Sequence, residues 1–556
     1  MGAAKGIEVT DARQTLATDA EKAQVRTTVF TQLAGLVLAP TAKALLDRGV
    51  FQLLEQAGEP VTFESIAVHT RGNRGYLRVA LRLLAAAGWL EIQATPSGST
   101  QYILTPQGRM ALEVVPAVYA KGTAFIPKAL FLQDFLYAST DDALLPSILE
   151  IVERAKDRWG LHPAGPGGKV QEQIIGHMDG MVAGPAMVAL ARGGIFAELE
   201  RGAVDLYALK GKTAALRAIF ELLEAIGWAS LDGDRVQLTP KGRYAAQIAT
   251  SYGVTVSYLP TMNSLSTLLF GNARIPRFDE SGVESLVDRA MNVWGSGGAH
   301  STYFKKIDEI VVEIFNAPLD KQPRGICDMG CGDGTLLAHL YEVVKTRTER
   351  GQHLEKHPVA IIGADFNKVA RRVTKQTLRR ARIPNYQVIH GDINRPAQLA
   401  GDMEKLGFDA HDFLHVRSFL DHNRPYSPPS GYAPGSRQAR SQGAFAHMGE
   451  EIPADALEEN LVRHLKRWAP YIGRFGLLVL ELHTLPPALT AANLERTPAV
   501  AYDGTHGYSD QYLVELPIFL ECAREAGLVA DQRLQAKFPA SELATVSINV
   551  FSAPQA

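Results

Sequence analysis

Asp328-Met329-Gly330-Cys331-Gly332-Asp333-Gly334 is the stretch on which the reading of this chain turns. It follows Gly325-Ile326-Cys327, a short apolar lead-in that reads as the end of a strand. Thr335-Leu336-Leu337-Ala338-His339-Leu340-Tyr341 follows it and reads as the first turns of a helix. A strand, then glycines, then a helix builds a ligand cradle at the carboxyl edge of a parallel sheet. Glycine relieves the steric limit on φ there and lets a ligand lie against bare backbone. The spacing is G-x-G-x-G with an acid two residues ahead, not the G-x-G-x-x-G of nicotinamide binders. Taken alone, the loop also reads as an ordinary glycine turn.

The downstream sequence favours the cradle. Pro358–Ala364 is an apolar, strand-like run that ends in Asp365, an acid placed to accept hydrogen bonds from both hydroxyls of a ribose. The charged stretch Glu342–Lys356 fills the long gap before it, as a long helix or a surface insertion. Tyr386-Gln387-Val388-Ile389-His390 reads as a third strand, closed by Gly391-Asp392-Ile393-Asn394. This ordered set resembles the motifs of the class I S-adenosylmethionine (SAM) methyltransferases. The resemblance implies SAM held by Asp328, Gly330, Gly332, Gly334, Asp365 and its neighbour Phe366, with Asp392 and Ile393 at the adenine.

Composition bounds the remainder. A chain of 556 residues is too long for one core and points to about three domains. Hydrophobic content of 46% and charged content of 21% are those of a soluble globular protein. No apolar run of membrane-spanning length stands out, and the N-terminus lacks the layout of a signal peptide. Gly2 lacks the downstream Ser or Thr of a myristoylation site. Three cysteines make no disulfide framework, so a reducing cytoplasm is expected. Cys327 and Cys331 read as small packing residues beside the loop rather than a metal pair.

The region ahead of the glycine loop contains a repeat. Leu38-Ala39-Pro40 leads to Gly49-Val50-Phe51 as Ala183-Gly184-Pro185 leads to Gly194-Ile195-Phe196, with the same proline-to-phenylalanine spacing. Leu83-Leu84 before Gly88-Trp89 recurs as Leu222-Leu223 before Gly227-Trp228, and Leu104-Thr105-Pro106 before Gly108 as Leu238-Thr239-Pro240 before Gly242. Thr as N-cap with Pro at the first helical position is a sound helix start. Helices, a Gly-Trp turn into a short hairpin, and a closing helix are the layout of a winged helix. DNA binding rests on neutralising phosphates, and a net charge of −2 with no basic stripe in either copy argues against it. The copies fit better as modules for dimerisation or for roofing a substrate pocket, which leaves a homodimer open.

The expected fold class is α/β, a Rossmann-like sheet preceded by a mainly helical region with two winged-helix-like repeats. The expected segments are repeat one at 1–125, connecting helices and linker at 126–169, repeat two at 170–260, a helical lid or hinge at 261–304, and the SAM domain at 305–556. Within the hinge, the glycines of Asn292–Phe304 read as a mobile closure bringing Tyr303 or Ser301 to the methionine end of SAM, or as a plain hinge with Tyr303 and Phe304 in the core. Asp412–Pro425 occupies the end of strand four, where His415 is a cofactor-binding candidate or a hydrogen-bonded strand residue. Pro425–Pro453, rich in Pro, Gly, Ser and Arg, reads as a flexible loop or lid. Strand five, Gly476–His483, and the segment Tyr502–Tyr512 bring histidines, acids and an amide towards one strand end. Imidazole and oxygen ligands suit Fe, Mn or Zn, but these two segments carry no H-x-E or C-x-x-C signature, and spacing alone favours a polar loop.

Asn292–Tyr303, His415–Arg424, Glu481-Leu482-His483-Thr484 and Thr505–Gln511 together resemble the metal-dependent C-methyltransferases of the apratoxin polyketide-synthase loading-module type. What the resemblance implies is a mononuclear iron or manganese held by a histidine and a glutamine, matched best by His483 and Gln511 with His506 competing. It also implies methylation of the α-carbon of a malonyl group on an acyl carrier protein, which a free-standing enzyme would meet in trans, or a small diffusible acid in its place. The expected chemistry is proton abstraction by His506 or Tyr508, with His483 close by, and in-line methyl transfer. The alternatives are a metal-free O- or N-methyltransferase and a SAM-binding regulator.

Overall fold

The computed structural model describes residues 16–94, 99–275 and 284–553, without the side chains of 298–302. The chain forms two compact units. One comprises Met1–Pro40, Glu113–Asn263 and Val287–Gly298; the other comprises Thr41–Leu112, Ser264–Leu286 and Ala299–Ala556.

Eight strands of the second unit make one sheet: β1 (Gly325–Met329), β2 (Ala360–Asp365), β3 (Tyr386–His390), β4 (Phe413–Ser418), β5 (Leu477–Leu482), β6 (Val529–Ala530), β7 (Ala536–Phe538) and β8 (Val546–Ser552). Their order is β6-β8-β5-β4-β1-β2-β3, with β7 also paired to β8. Strands β1 to β5 run parallel, and β8 returns antiparallel on β5. Central strands β1 and β5 are buried at every residue, as a sheet covered on both faces requires. Alternation of side chains sends Cys327 and Met329 into one core, with Leu457, Leu461 and Trp468, and Ile326 into the other, with Leu337, Leu340 and Leu378. Each parallel strand therefore ends at one edge, which collects the tips after Met329, Asp365, Ser418 and Leu482.

Both repeats fold as the sequence layout predicts, and one contact explains why each copy keeps its glycine. The hairpins are Leu90–Ala94 with Thr100–Leu104 and Ala229–Asp232 with Arg235–Leu238, each joined by a third short strand. Thr105 Oγ1 accepts from Gly108 N at 3.0 Å and donates to Gly88 O at 2.6 Å. Thr239 does the same with Gly242 N at 3.0 Å and Gly227 O at 2.8 Å. A Cβ on Gly108 would stand 2.1 Å from Trp89 O, and one on Gly242 would stand 1.6 Å from Trp228 O. The closing helix thus lies directly on the backbone of the Gly-Trp turn.

The boundaries differ from the five expected segments. Repeat one falls in the same unit as the large sheet because its helix Arg74–Ala86 is packed into that unit. Gly75 N donates to Gly449 O at 2.8 Å, and Tyr76 Oη donates to Asp510 Oδ1 at 2.7 Å. Arg82 is ion-paired to Asp503, with both side chains 6% exposed. Two helices, Asp19–Asp47 and Gly165–Arg192, do have the length and hydropathy of membrane spans, contrary to expectation. Most of each apolar window (78% and 89%) is buried inside the protein, as for core helices. All three cysteines are buried and free.

Substituting Gly242 by Ala is expected to cost about 1–3 kcal/mol, because the new methyl group meets a backbone carbonyl. Gly167→Ala, whose Cβ meets nothing within 4 Å, is the control expected to be close to neutral. Urea unfolding of both variants checks the difference, and equal midpoints would overturn it.

Candidate functional site

The glycine loop turns on three left-handed residues, Gly330 (φ 83°), Gly332 (φ 54°) and Gly334 (φ 80°). Only glycine takes these angles without strain. Gly330 N reaches across to Ala364 O at 2.7 Å, and Gly332 N donates to Asp365 Oδ2 at 3.1 Å, which ties the tips of β1 and β2 together. Nothing but Gly330 O lies within 4 Å of a Cβ built on Gly332, so the cradle is open there. Asp328 lies beneath it, 2% exposed, with Oδ1 lacking any hydrogen-bond partner among the described residues. Burial, with Asp365 close by, pushes its carboxyl up to about 8. An orphaned acid under a bare backbone cradle fits a ligand that brings its own donors.

The second and third strand tips supply further acids. Asp365 is raised by burial, while Asn367 N (2.7 Å) and Gly332 N lower it. Phe366 is 73% exposed beside His390. Asp392 Oδ1 accepts from Asn394 N at 2.9 Å. Ile393 packs into the core, and its carbonyl accepts from Trp468 Nε1 at 2.8 Å.

Other candidates fall elsewhere than the sequence suggests. The glycine-containing stretch 292–304 is not a loop: its backbone belongs to one helix, Arg289–Phe315. Tyr303 packs edge-on against Phe538 (5.0 Å) and Phe419 (6.2 Å), its hydroxyl pushed up to about 12 by burial. The side chain of Ser301 lies outside the described residues. His415 is not at the ligand edge: its Nε2 donates to Ala410 O at 2.9 Å, and its ring packs on Trp468, so the cofactor expectation fails for it. The expected lid after Pro425 is held down. Arg440 pairs with Glu458 (2.9 Å) and Glu521 (2.7 Å), Ser441 Oγ donates to Glu515 (2.7 Å), and Tyr432 Oη donates to Asp455 (2.9 Å).

His483 is a structural residue. Its Nδ1 donates to Val514 O at 3.2 Å, so its lone pair is on Nε2, which takes the hydroxyl of Ser547 at 2.7 Å. Asn549 Nδ2 and then Gln535 Nε2 continue that chain of hydrogen bonds. Neither nitrogen is left for a metal ion or for proton transfer. Tyr508 is fully buried with its hydroxyl 3.1 Å from Thr41 Oγ1, and burial raises it far above the usual phenol range, which removes it as a base.

The site that does assemble joins the tips of β4 and β5. His422, in the short turn Asp421–Asn423 after β4, points Nδ1 at Glu481 Oε1 on β5 in a close contact. Glu481 is 1% exposed and also accepts from His422 N (3.2 Å) and Leu482 N (2.7 Å). A carboxylate acceptor keeps the proton on Nδ1 and the lone pair on Nε2. Asp421 is fixed by Arg417 Nη1 (2.7 Å) and His464 Nε2 (3.0 Å), all three at zero exposure. Arg424 Nη1 closes the turn on Asp421 O at 2.8 Å.

Facing this dyad is His506 on the helix Ala499–Gly507, its ring centre 5.2 Å from that of His422. His506 Nδ1 donates to Tyr502 O at 2.8 Å, which again places the lone pair on Nε2. Burial, then His422, lowers His506 to about 3, so it is a neutral imidazole and a weak base. Gln511 follows, its backbone N–H on His506 O at 3.0 Å, and it borders a small cavity with Arg82, Thr484, Asp503 and Gly507. Among the described residues no three His, Cys, Asp or Glu side chains form a metal-binding group. His483 has both nitrogens engaged, whereas His422 and His506 each carry a lone pair on Nε2. Sequence reading missed His422 and Glu481; the available signal was an Asp-His pair just past strand four and an acid near the tip of strand five.

The parallel order β3-β2-β1-β4-β5 with antiparallel β8, the glycine cradle and the acid-tipped strands define a class I, SAM-dependent methyltransferase. Residues 284–549 match the family model described as the AprA MT2-like domain, 25–92 the AprA N-terminal domain and 179–272 the AprA winged helix domain. The chain is therefore a methyltransferase that resembles AprA across its catalytic, N-terminal and winged-helix parts. No curated protein sequence matches it. Among solved structures it is similar to the SAM-dependent methyltransferase SibL in its apo form (14% identity, TM-score 0.38, 67% of this chain and 96% of that one). An O-methyltransferase family protein from Burkholderia thailandensis gives 12%, 0.39, 67% and 94%. The CurJ carbon methyltransferase gives 14%, 0.31, 74% and 97%.

Asp328 generates a pH prediction. A carboxyl raised from 3.8 to about 8 binds its proton more tightly in the folded state, so its contribution to stability is full below pH 3.8 and is lost as pH rises through 8. Ligand-free wild type is expected to lose melting temperature between pH 5 and 8, and Asp328→Asn to flatten that slope. Parallel profiles by scanning fluorimetry would refute it.

Proposed function

We propose that the protein methylates the α-carbon of a malonyl-type acyl group, with His422 as the base and Glu481 as its positioning partner. The observation that carries this reading is the His422–Glu481 contact at the tips of β4 and β5. AprA-type domains over the catalytic region support the choice of acceptor.

SAM, when bound, supplies an electrophilic sulfonium methyl group. Asp328 is assigned to its ammonium end, Asp365 to the ribose hydroxyls and Asp392 to the adenine amino group, with Gly330, Gly332 and Gly334 giving it room. Phe366 and Ile393 border the adenine. His422 Nε2 takes the proton from the carbon between two carbonyl groups, and Glu481 stabilises the imidazolium through Nδ1–H. The carbanion would take the sulfonium methyl, with S-adenosylhomocysteine as the leaving group, and the protein contributes alignment and exclusion of water. His506 is neutral at physiological pH, and its lowered basicity makes it a poorer choice than His422 for removing that proton. An iron or manganese ion of the kind the resemblance implies would be held by His506 and Gln511 beside His422, where it would act as a Lewis acid on the enolate oxygen. The acyl group is delivered by an acyl carrier protein. A metal-free O-methyltransferase would use the same dyad on a hydroxyl, and the mass and fragmentation of the product separate the two.

The test is single-turnover transfer from methyl-labelled SAM to a malonyl thioester. His422→Gln and Glu481→Gln are expected to lose about 10²–10⁴-fold in rate while SAM binding by calorimetry is retained. Unchanged rates in both variants would sink the assignment. Metal content that falls in His506→Ala and Gln511→Ala but not in His483→Ala supports the metal ligands, and a fall only in His483→Ala refutes them.

A further inference from the structure

The helix after β2, α1 (Lys368–Arg380), carries charge of one sign only. Seven of the fifteen residues from Lys368 to Arg382 are Lys or Arg, and none is Asp or Glu. Lys368, Arg372, Lys375, Arg379 and Arg382 follow one another at intervals of four, three, four and three, which places them along one side of the helix. All five are exposed, and among the described residues none of their side chains forms an ion pair. Elsewhere exposed helices neutralise such charges, as Glu150 does for Arg154 and Glu153 for Lys156. Like charges at i,i+4 disfavour a helix, and among the described residues no ion pair offsets them. A net charge of −2 shows that the stripe is no part of a generally basic surface.

The opposite side of α1 is fastened to the cofactor cradle. Thr374 and Leu378 are buried, Thr374 Oγ1 donates to Gly332 O at 2.8 Å, and Asn367 caps the first turn through Val369 N at 2.7 Å. At that end Val369 is 56% exposed, so an apolar spot adjoins the cations. Exposed apolar surface rimmed by charge of one sign suits an oppositely charged protein. The helix starts at the edge that bears His422, two strand spacings or about 10 Å across the sheet.

We propose that this stripe docks the acidic face of the protein that presents the acyl group. The inference rests on the reading of the acceptor given above, for delivery though not for binding. Electrostatic docking of this kind sets encounter and salt dependence and leaves the chemical step alone.

The test compares the full-length chain with the triple charge reversal Arg372→Glu, Lys375→Glu and Arg379→Glu, all on exposed side chains. The probes are a purified acyl carrier protein bearing an unloaded phosphopantetheine arm, the same carrier loaded with malonate, a free malonyl thioester and a short DNA duplex. Wild type is expected to bind the unloaded carrier with an affinity that falls at least tenfold from low to high salt, and the reversal to weaken it at least tenfold. kcat/KM on the loaded carrier should drop in parallel, while kcat/KM on the free thioester stays within about twofold. Carrier binding that is absent in wild type, or unaffected by the reversal, overturns the proposal. So does tighter, stripe-dependent binding of the duplex, which would assign the face to nucleic acid. Stripe-dependent carrier binding with no turnover of either thioester upholds docking and refutes the acceptor.

Discussion

Glu481 is 1% exposed at the end of a fully buried strand, and a carboxyl group in that position must be given hydrogen-bond donors. The donors are Leu482 N, His422 N and the His422 ring. Satisfying one acid therefore fastens the turn after β4 to the tip of β5 and selects the tautomer of its histidine. The turn is held from its other side by Asp421, locked between Arg417 and His464. Phe419, just ahead of it, takes φ 52°, a conformation costly for an aromatic residue and maintained only where the surroundings enforce it. Without the Glu481 carboxylate the His422 ring loses the contact that fixes its tautomer, although the turn itself stays held by Asp421.

The cofactor side obeys a different constraint. There bare backbone lines the cradle, and the acids stand at strand tips, Asp328 with one oxygen unpaired among the described residues. Its raised carboxyl is the electrostatic counterpart of an open cradle: the cost of burial remains until a ligand brings donors. The cationic helix is attached to the same loop through Thr374, so cofactor site and proposed docking face are directly joined.

The two repeats show one local solution placed in two settings. In each, threonine ties the Gly-Trp turn to the start of the closing helix, and a glycine lets that helix lie on the tryptophan carbonyl. Their fates differ because of a few polar residues on the preceding helix. Arg82 in the first copy meets Asp503 and Thr484 and is built into the catalytic unit, whereas Glu221 at the equivalent place in the second carries an exposed pair with Lys156.

The sheet, the cradle with Asp328, Asp365 and Asp392, and both winged helices were legible in the sequence, because glycine spacing, strand-end acids and capping threonines act over a few residues. The reactive centre was not. His422 and Glu481 are 59 positions apart and meet only because β4 and β5 pair in parallel with one register. Nothing local distinguished His422 from His483 or His506, which differ solely in what tertiary packing offers their nitrogens: a carboxylate, a hydroxyl with a carbonyl, or a backbone carbonyl alongside a second imidazole. The apparent lid failed for the same reason, since its glycines and prolines are local, while the glutamates that hold Arg440 come from the helix that follows it and from a second helix 81 positions on. Short-range backbone chemistry determined the scaffold; only the folded sheet decided which histidine faces which acid.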